Sequence, residues 1–264
     1  MAERAERIAQ RLLSGSGAGV VTAYRLEGQP MLDAIAHGVA SDGSLVVAAV
    51  ARPDSEIFAV APVDVRLDIT MEAPELDVRV VAASLHLLGS LRWLPRFEPS
   101  DAAAIDRLPE HIAEIALAPG GRVGVVHATS ALVHESAGVT RVGVRRAAEG
   151  VLATSRDRVH EQIPAMLDLA RSTDRDRLSV LADAVIGGYR NGRVLLERPT
   201  VGACAAAVGK TFVIDVDTDG LTLMHIGEKQ TTVVLALFGA EALVQEPGTT
   251  VDQCRAKLTR LLAA

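Results

Sequence analysis

Aromatic residues are scarce in this chain. Only 3% of its 264 residues are Phe, Trp or Tyr, and there is one Trp. A core drawn from the 49% apolar share must therefore be built of Val, Leu, Ala and Ile. Cysteine is equally thin. Cys204 and Cys254 cannot form a disulfide framework, and they fit a reducing cytosol, where a free Cys acts as a small buried hydrophobe. Positive charge is not in surplus. With a net charge of −6 the chain has no excess to hold nucleic acid or acidic lipid by counterion release. Long apolar runs are missing too: none reaches the roughly 18 residues of a membrane span. The opening MAERAERIAQRLL is charged and amphipathic and lacks the apolar centre of a signal peptide. A soluble cytoplasmic protein, free of nucleic acid and membrane, is expected.

What is present is organised around Val63 to Pro95. From Val63 to Thr70 the alternation is strict: Val63, Val65, Leu67 and Ile69 on one face, Asp64, Arg66, Asp68 and Thr70 on the other. The apolar row should meet a core, and the charged row marks a solvated face or a dimer rim. Pro74 makes a turn. Arg79 to Leu91 then reads as a strand buried on both faces, closed by Pro95. A hairpin this long needs a larger sheet around it.

Ahead of this hairpin, Ala2 to Leu13 fits an amphipathic helix and Gly19 to Tyr24 a strand. Pro30 to Val39 and Ser44 to Val50 read as further strands, joined by the tight turn of Asp42-Gly43. Arg52 to Ala59 reads as a short helix capped by Asp54 or Ser55. After the hairpin, Arg96 to Leu117 turns helical, with Ile105, Leu108, Ile112 and Ile115 on one face and Pro109 as a restart. Arg122 to His134 and Gly138 to Val144 alternate like strands, and Ala147 to Asp157 reads as a linker or short helix. From Arg158 the period is helical up to Gly187-Gly188. Val194 to Glu197, Lys210 to Asp215, Leu221 to Ile226 and Thr231 to Phe238 read as strands, and Val251 to Leu262 as a closing helix. Two domains are expected, residues 1–150 and 151–264, the second α+β and long enough to stand alone.

Two motifs tempt and fail. CAAAVGKT, Cys204 to Thr211, resembles a phosphate loop, but it has Cys where the motif needs Gly and a Val/Ile strand where it needs a helix. Asp215, Asp217, Asp219 and Gly220 match the first half of a calcium loop, but its twelfth position is Ile226 instead of a bidentate carboxylate. A hairpin turn accounts for those residues. His127 and His134 lie seven apart across what reads as one strand, hence on opposite faces, which argues against a two-histidine metal site.

Three histidines remain as candidate iron ligands, since imidazole commonly ligates haem. His86 lies in the long strand, where a core histidine satisfied by a carbonyl is the plainer account. His160 opens a helix, and His225 ends a hairpin strand; for both, an ordinary surface residue is the plainer account. Arg52 and Ser55 follow a strand and open a short helix, a place that suits an anion. The plainer account there is a capping Ser beside an exposed Arg.

The layout of the first domain, from ERAERIAQRLL through GVVTAYRLEGQP, DGSLVVAAVA, RPDSEIF and VDVRLDITMEAP to VRVVAASLHLLGSLRWLP, resembles the flavin-binding split β-barrel of the pyridoxamine-phosphate-oxidase-like superfamily. Gly89 stands in that family's glycine position. FVIDVDTDGLTLM, followed by a strand to Phe238 and a helix, is similar to the small C-terminal domain that accompanies HugZ-like haem-utilisation barrels. The resemblance implies an α+β chain, a split β-barrel followed by a small α/β C-terminal domain, acting as a homodimer with ligand sites between subunits. It makes haem the first-choice ligand, for storage, transfer or degradation, with His225 and His160 ahead of His86 as ligands and Arg52 suited to a propionate or phosphate. The family's histidine-bearing helix motif is replaced here by MLDLAR, Met166 to Arg171. FMN or deazaflavin in an oxidoreductase is the alternative, for which only Arg52 and Ser55 match the family's phosphate-holding residues. A third reading is a cofactor-free barrel acting as an interaction module.

Overall fold

The apolar periodicities become packed elements in the computed structural model of the chain, which describes residues 2–50, 56–58, 62–76, 78–154, 163–239 and 251–263. Contacts divide it into two units: Met1–Met71 with Ala83–Ala153, and Glu72–Ala82 with Thr154–Ala264.

In the first unit, α1 (Ala2–Leu13) buries Ala5, Ile8, Ala9, Leu12 and Leu13, the face its pattern predicts. The strands are β1 (Ala18–Thr22), β2 (Met31–Ala34), β3 (Ala36–Val39), β4 (Leu45–Val50), β5 (Val63–Glu72), β6 (Val81–Trp93), β7 (Gly121–His127), β8 (Ser130–Glu135) and β9 (Gly138–Gly143). Their order is β2-β1-β5-β6-β7-β4-β3, with β8 joining β6 to β9. The expected strand from Pro30 to Val39 is broken at Ile35, which is exposed. Its halves sit at opposite ends of the strand order, β2 on β1 and β3 on β4. Neighbours in the chain can occupy both ends of a sheet only if the sheet curls round, and this closes the barrel.

The split lies in β6. Ala83 to Leu87 pair with β8, and Ser90 to Trp93 pair with β7. Gly89 stands between the two sets, and a Cβ there would lie 2.3 Å from the His127 carbonyl oxygen. Only glycine lets the end of β7 come this close.

The strict alternation of β5 places Val63, Val65, Leu67 and Ile69 in the barrel core. The expectation that β6 is buried on both faces holds over Ala82 to Leu85, and β4 is buried on both faces from Leu45 to Ala49. Leu45, Val47 and Ala49 enter the barrel core, while Val46 and Ala48 join Ile112 and Ala116 in a second core under α3 (Glu110–Leu117). On β6 the outward residues His86 and Leu88 stay accessible. The helix expected from Arg96 to Leu117 is two pieces, α2 (Ala102–Ile105) and α3. Pro109 caps the second, having no N–H with which to continue the first. The stretch expected as a linker or short helix is α4 (Val144–Thr154). A buried ion pair, Arg4 Nε to Glu135 Oε2 at 2.8 Å, ties α1 to β8.

In the second unit, β10 (Gly192–Pro199), β11 (Lys210–Val216), β12 (Gly220–Ile226) and β13 (Gln230–Leu237) form an antiparallel sheet in the order β10-β13-β12-β11. The helices α5 (Ile163–Arg171), α6 (Arg175–Ile186) and α7 (Val251–Ala263) accompany it. Their shared core holds Met166, Leu178, Val185, Leu223, Val234 and Leu258. Met166 is therefore a packing residue. Because β11 is an edge strand, its outward N–H groups need partners. The Val213 N–H donates to Glu75 Oε1 at 2.8 Å, and Arg175 Nη2 lies 3.5 Å from Glu75 Oε2. Residues 72–82, though they connect β5 to β6, thus belong to the second unit.

Candidate functional site

The residues singled out from the sequence fall into two groups. Arg52, Ser55 and His160 lie outside the described residues. His86 and His225 are described, in separate units, and each has its own hydrogen-bond set.

His86 projects from the outward face of β6. Its Nδ1 lies 2.6 Å from Asp68 Oδ1 and its Nε2 lies 3.0 Å from Ser84 Oγ. A carboxylate can only accept, so Nδ1–H donates to Asp68 and Nε2 accepts from the Ser84 hydroxyl. Both ring nitrogens are thereby engaged. Arg66 Nε donates to the other oxygen of Asp68 at 2.7 Å. The His134 ring meets His86 edge-on at 4.9 Å. The sequence pattern had put His134 on one strand with His127. The chain turns at residues 128–129 instead, so His127 ends β7 and His134 lies in β8 beside Ser84 of β6.

His225, half-buried on β12, has Nδ1 2.9 Å from Thr211 Oγ1, and that hydroxyl lies 2.8 Å from Ser179 Oγ on α6. Two further histidines bind backbone. His37 is 2% exposed, and its Nε2 donates to the Leu12 carbonyl at 2.7 Å. Burial pushes its pKa below the ordinary imidazole value, partly opposed by that hydrogen bond, with His111 adding to the depression. His111 Nε2 donates to the His37 carbonyl at 3.1 Å.

The two rejected motifs are hairpin chemistry. Asp217 Oδ1 accepts from the Asp219 and Gly220 N–H groups at 2.8 and 3.1 Å, which shapes the β11–β12 turn. Lys210 and Thr211 open β11, with no helix following them. Among the described residues, no group of three or more His, Cys, Asp or Glu is arranged to hold a metal ion. No helix there is long and apolar enough to cross a membrane.

A cleft of about 640 Å³ lies in the first unit at the start of β4, the end of β7 and the start of α4. That volume lies within the range of roughly 300–1,000 Å³ that encloses small organic ligands. Leu45, Leu88, Val126 and Leu152 supply apolar lining, and His127, Thr129, Arg145 and Glu149 supply polar lining. Leu88, left 61% exposed on its strand, belongs to this cleft. Arg145 and Glu149 approach at 3.7 Å with side chains 93% and 67% exposed, so they form a loose pair. Asp42 Oδ1 accepts from the Ser44 N–H at 2.9 Å, and this bond holds its carboxyl below the usual carboxylate range. Sequence reasoning did not single out Arg145 and noticed His127 only through its spacing from His134. The one local signal was Gly89, whose missing side chain seats the His127 backbone.

No protein-family model matches the chain, and no curated protein matches it. Solved structures do show likeness. The heme binding protein from Mycobacterium smegmatis is 16% identical over 98% of this chain and 96% of its own, with a TM-score of 0.47. A Clostridium acetobutylicum protein related to general stress protein 26, of the pyridoxinephosphate oxidase family, is 11% identical over 56% of this chain and 99% of its own, at 0.37. ChuZ from Campylobacter jejuni is 13% identical over 55% of this chain and 64% of its own, at 0.34. At such identities and scores the function has to be argued from the site.

Proposed function

We propose that the chain binds haem in the cleft of the first unit. Haem is a flat apolar macrocycle with two carboxylates at one edge and an iron atom that takes an axial ligand. It therefore asks a site for apolar surface, a cation and an imidazole. The observation that carries the reading is that one cleft of suitable volume is lined by residues of all three kinds: Leu88 and Leu152, Arg145, and His127. The residues present fit the group. Leu88 and Leu152 offer the ring apolar surface, and exposed Arg145 can exchange its loose contact with Glu149 for a ligand carboxylate. Bound haem would supply an iron centre; the chain supplies enclosure, charge and a nitrogen ligand. Storage or transfer of haem requires no more than this.

The test is a visible-absorbance titration of the purified protein with hemin, with FMN in parallel. A saturable, sharpened Soret band at a fixed haem-to-chain ratio is the expected result. Tight FMN binding with no Soret change would replace haem by a flavin. Silence towards both would leave a cofactor-free interaction module.

A further inference from the structure

We infer that His127 would ligate the haem iron and that Arg145 would hold a propionate, an assignment that rests on the haem reading above. The six described histidines compete unequally for that role. His37 and His111 are committed to backbone carbonyls. Both ring nitrogens of His86 are engaged, by Asp68 and Ser84. His225 is anchored through Nδ1 to Thr211 and lines neither described cleft. His134 packs edge-on against His86 and lies outside the cleft. His127 lines it, and among the described residues no hydrogen bond or ion pair ties its ring.

A good metal ligand combines a fixed backbone with an available lone pair, because ordering a loose ligand costs affinity. His127 meets both conditions. Its carbonyl sits over Gly89, and its register partner across the ladder is Ser90, so the backbone is held on both counts. Arg145 follows Val144 at the start of α4 and lines the same cleft. Its contact with Glu149 is between two exposed groups and is easily exchanged. A propionate offers the guanidinium a bidentate partner that the 3.7 Å contact is not.

The experiment is hemin titration of the full chain and of four variants, read by Soret position and by dissociation constant. His127→Ala is expected to lose the sharpened Soret band and to weaken binding by more than about tenfold, with added imidazole restoring the band. His127→Met offers a thioether of similar reach and is expected to shift the band rather than abolish it. Arg145→Ala is expected to weaken binding several-fold with the band unmoved. His225→Ala is expected to change neither. Trp93 fluorescence checks that each variant is folded. A wild-type spectrum and affinity in His127→Ala overturns the assignment while the haem reading stands. So does loss of the band in His225→Ala alone. No Soret response from the unaltered chain removes both.

Discussion

Replacing Gly89 by Ala tests the point on which the barrel's split and the cleft both depend. The added Cβ would lie 2.3 Å from the His127 carbonyl oxygen and 3.1 Å from the Ala128 Cβ, where ordinary contact begins at 3.4 Å. The obstacle is backbone, so no rotamer relieves it. Either β6 or the end of β7 must move by about 1 Å, an overpacking cost of about 1–3 kcal/mol. The strained Ser90–His127 pairing adds about 1 kcal/mol. Against this, alanine restricts the unfolded chain and returns about 0.4–1 kcal/mol. The net loss is roughly 1–3 kcal/mol, which for a unit of this size lowers Tm by about 3–10 °C. The assay is built in. Trp93 is the only tryptophan; it is buried in the first unit, donates from Nε1 to the Ile57 carbonyl at 2.9 Å and packs at a tilt against Phe58, ring centroids 4.5 Å apart. Its fluorescence therefore reports melting of that unit. Gly143→Ala is the control, because its Cβ would meet nothing closer than 3.9 Å. It should stay within about 0.5 kcal/mol of the parent. If Gly89→Ala melts no lower than Gly143→Ala, the close approach is not what places His127, and the reasoning fails.

Glu75→Ala should destabilise the second unit by about 1–3 kcal/mol, because it removes the acceptor of the Val213 N–H. Hydrogen exchange at that amide should accelerate, and less so in Glu75→Gln; unchanged exchange would refute the contact. Burial lowers the pKa of His37, so the folded chain resists a proton that the unfolded chain takes up near pH 6.5. Stability from this residue is complete above about pH 6.5 and is lost as pH falls from there towards the depressed folded value. Urea midpoints measured from pH 7.5 down to 5.5 should decline, with a shallower slope in His37→Gln; equal slopes in the two proteins would count against it.

Much of the local structure was legible in the residues. The alternation in β5 predicts its four core side chains, and the spacing of Ile8, Leu12 and Leu13 predicts the buried face of α1. The turn at Asp219-Gly220 and the strand after Lys210 were legible as a hairpin. These readings succeed because periodicity and turn chemistry act within a few residues. The site was legible only in fragments. His86 was singled out as the candidate inside the long strand, but its partners Asp68 and His134 come from neighbouring strands whose register no local pattern states.

By itself, then, the sequence determined most of the strands and helices, the buried faces of α1 and β5, and that the chain is α+β. Only the tertiary structure decided that β2 and β3 part to opposite ends of the sheet, that β4 is covered on both faces from Leu45 to Ala49 but β6 only over Ala82 to Leu85, and that β6 changes partners at Gly89. It alone assembled the cleft, bringing residues 42–45, Leu88, 125–129 and 144–152 together. Strand pairing is a competition between segments far apart in the chain, settled by the summed packing of whole faces. A cleft is what that packing leaves unfilled, so no single stretch of sequence contains it.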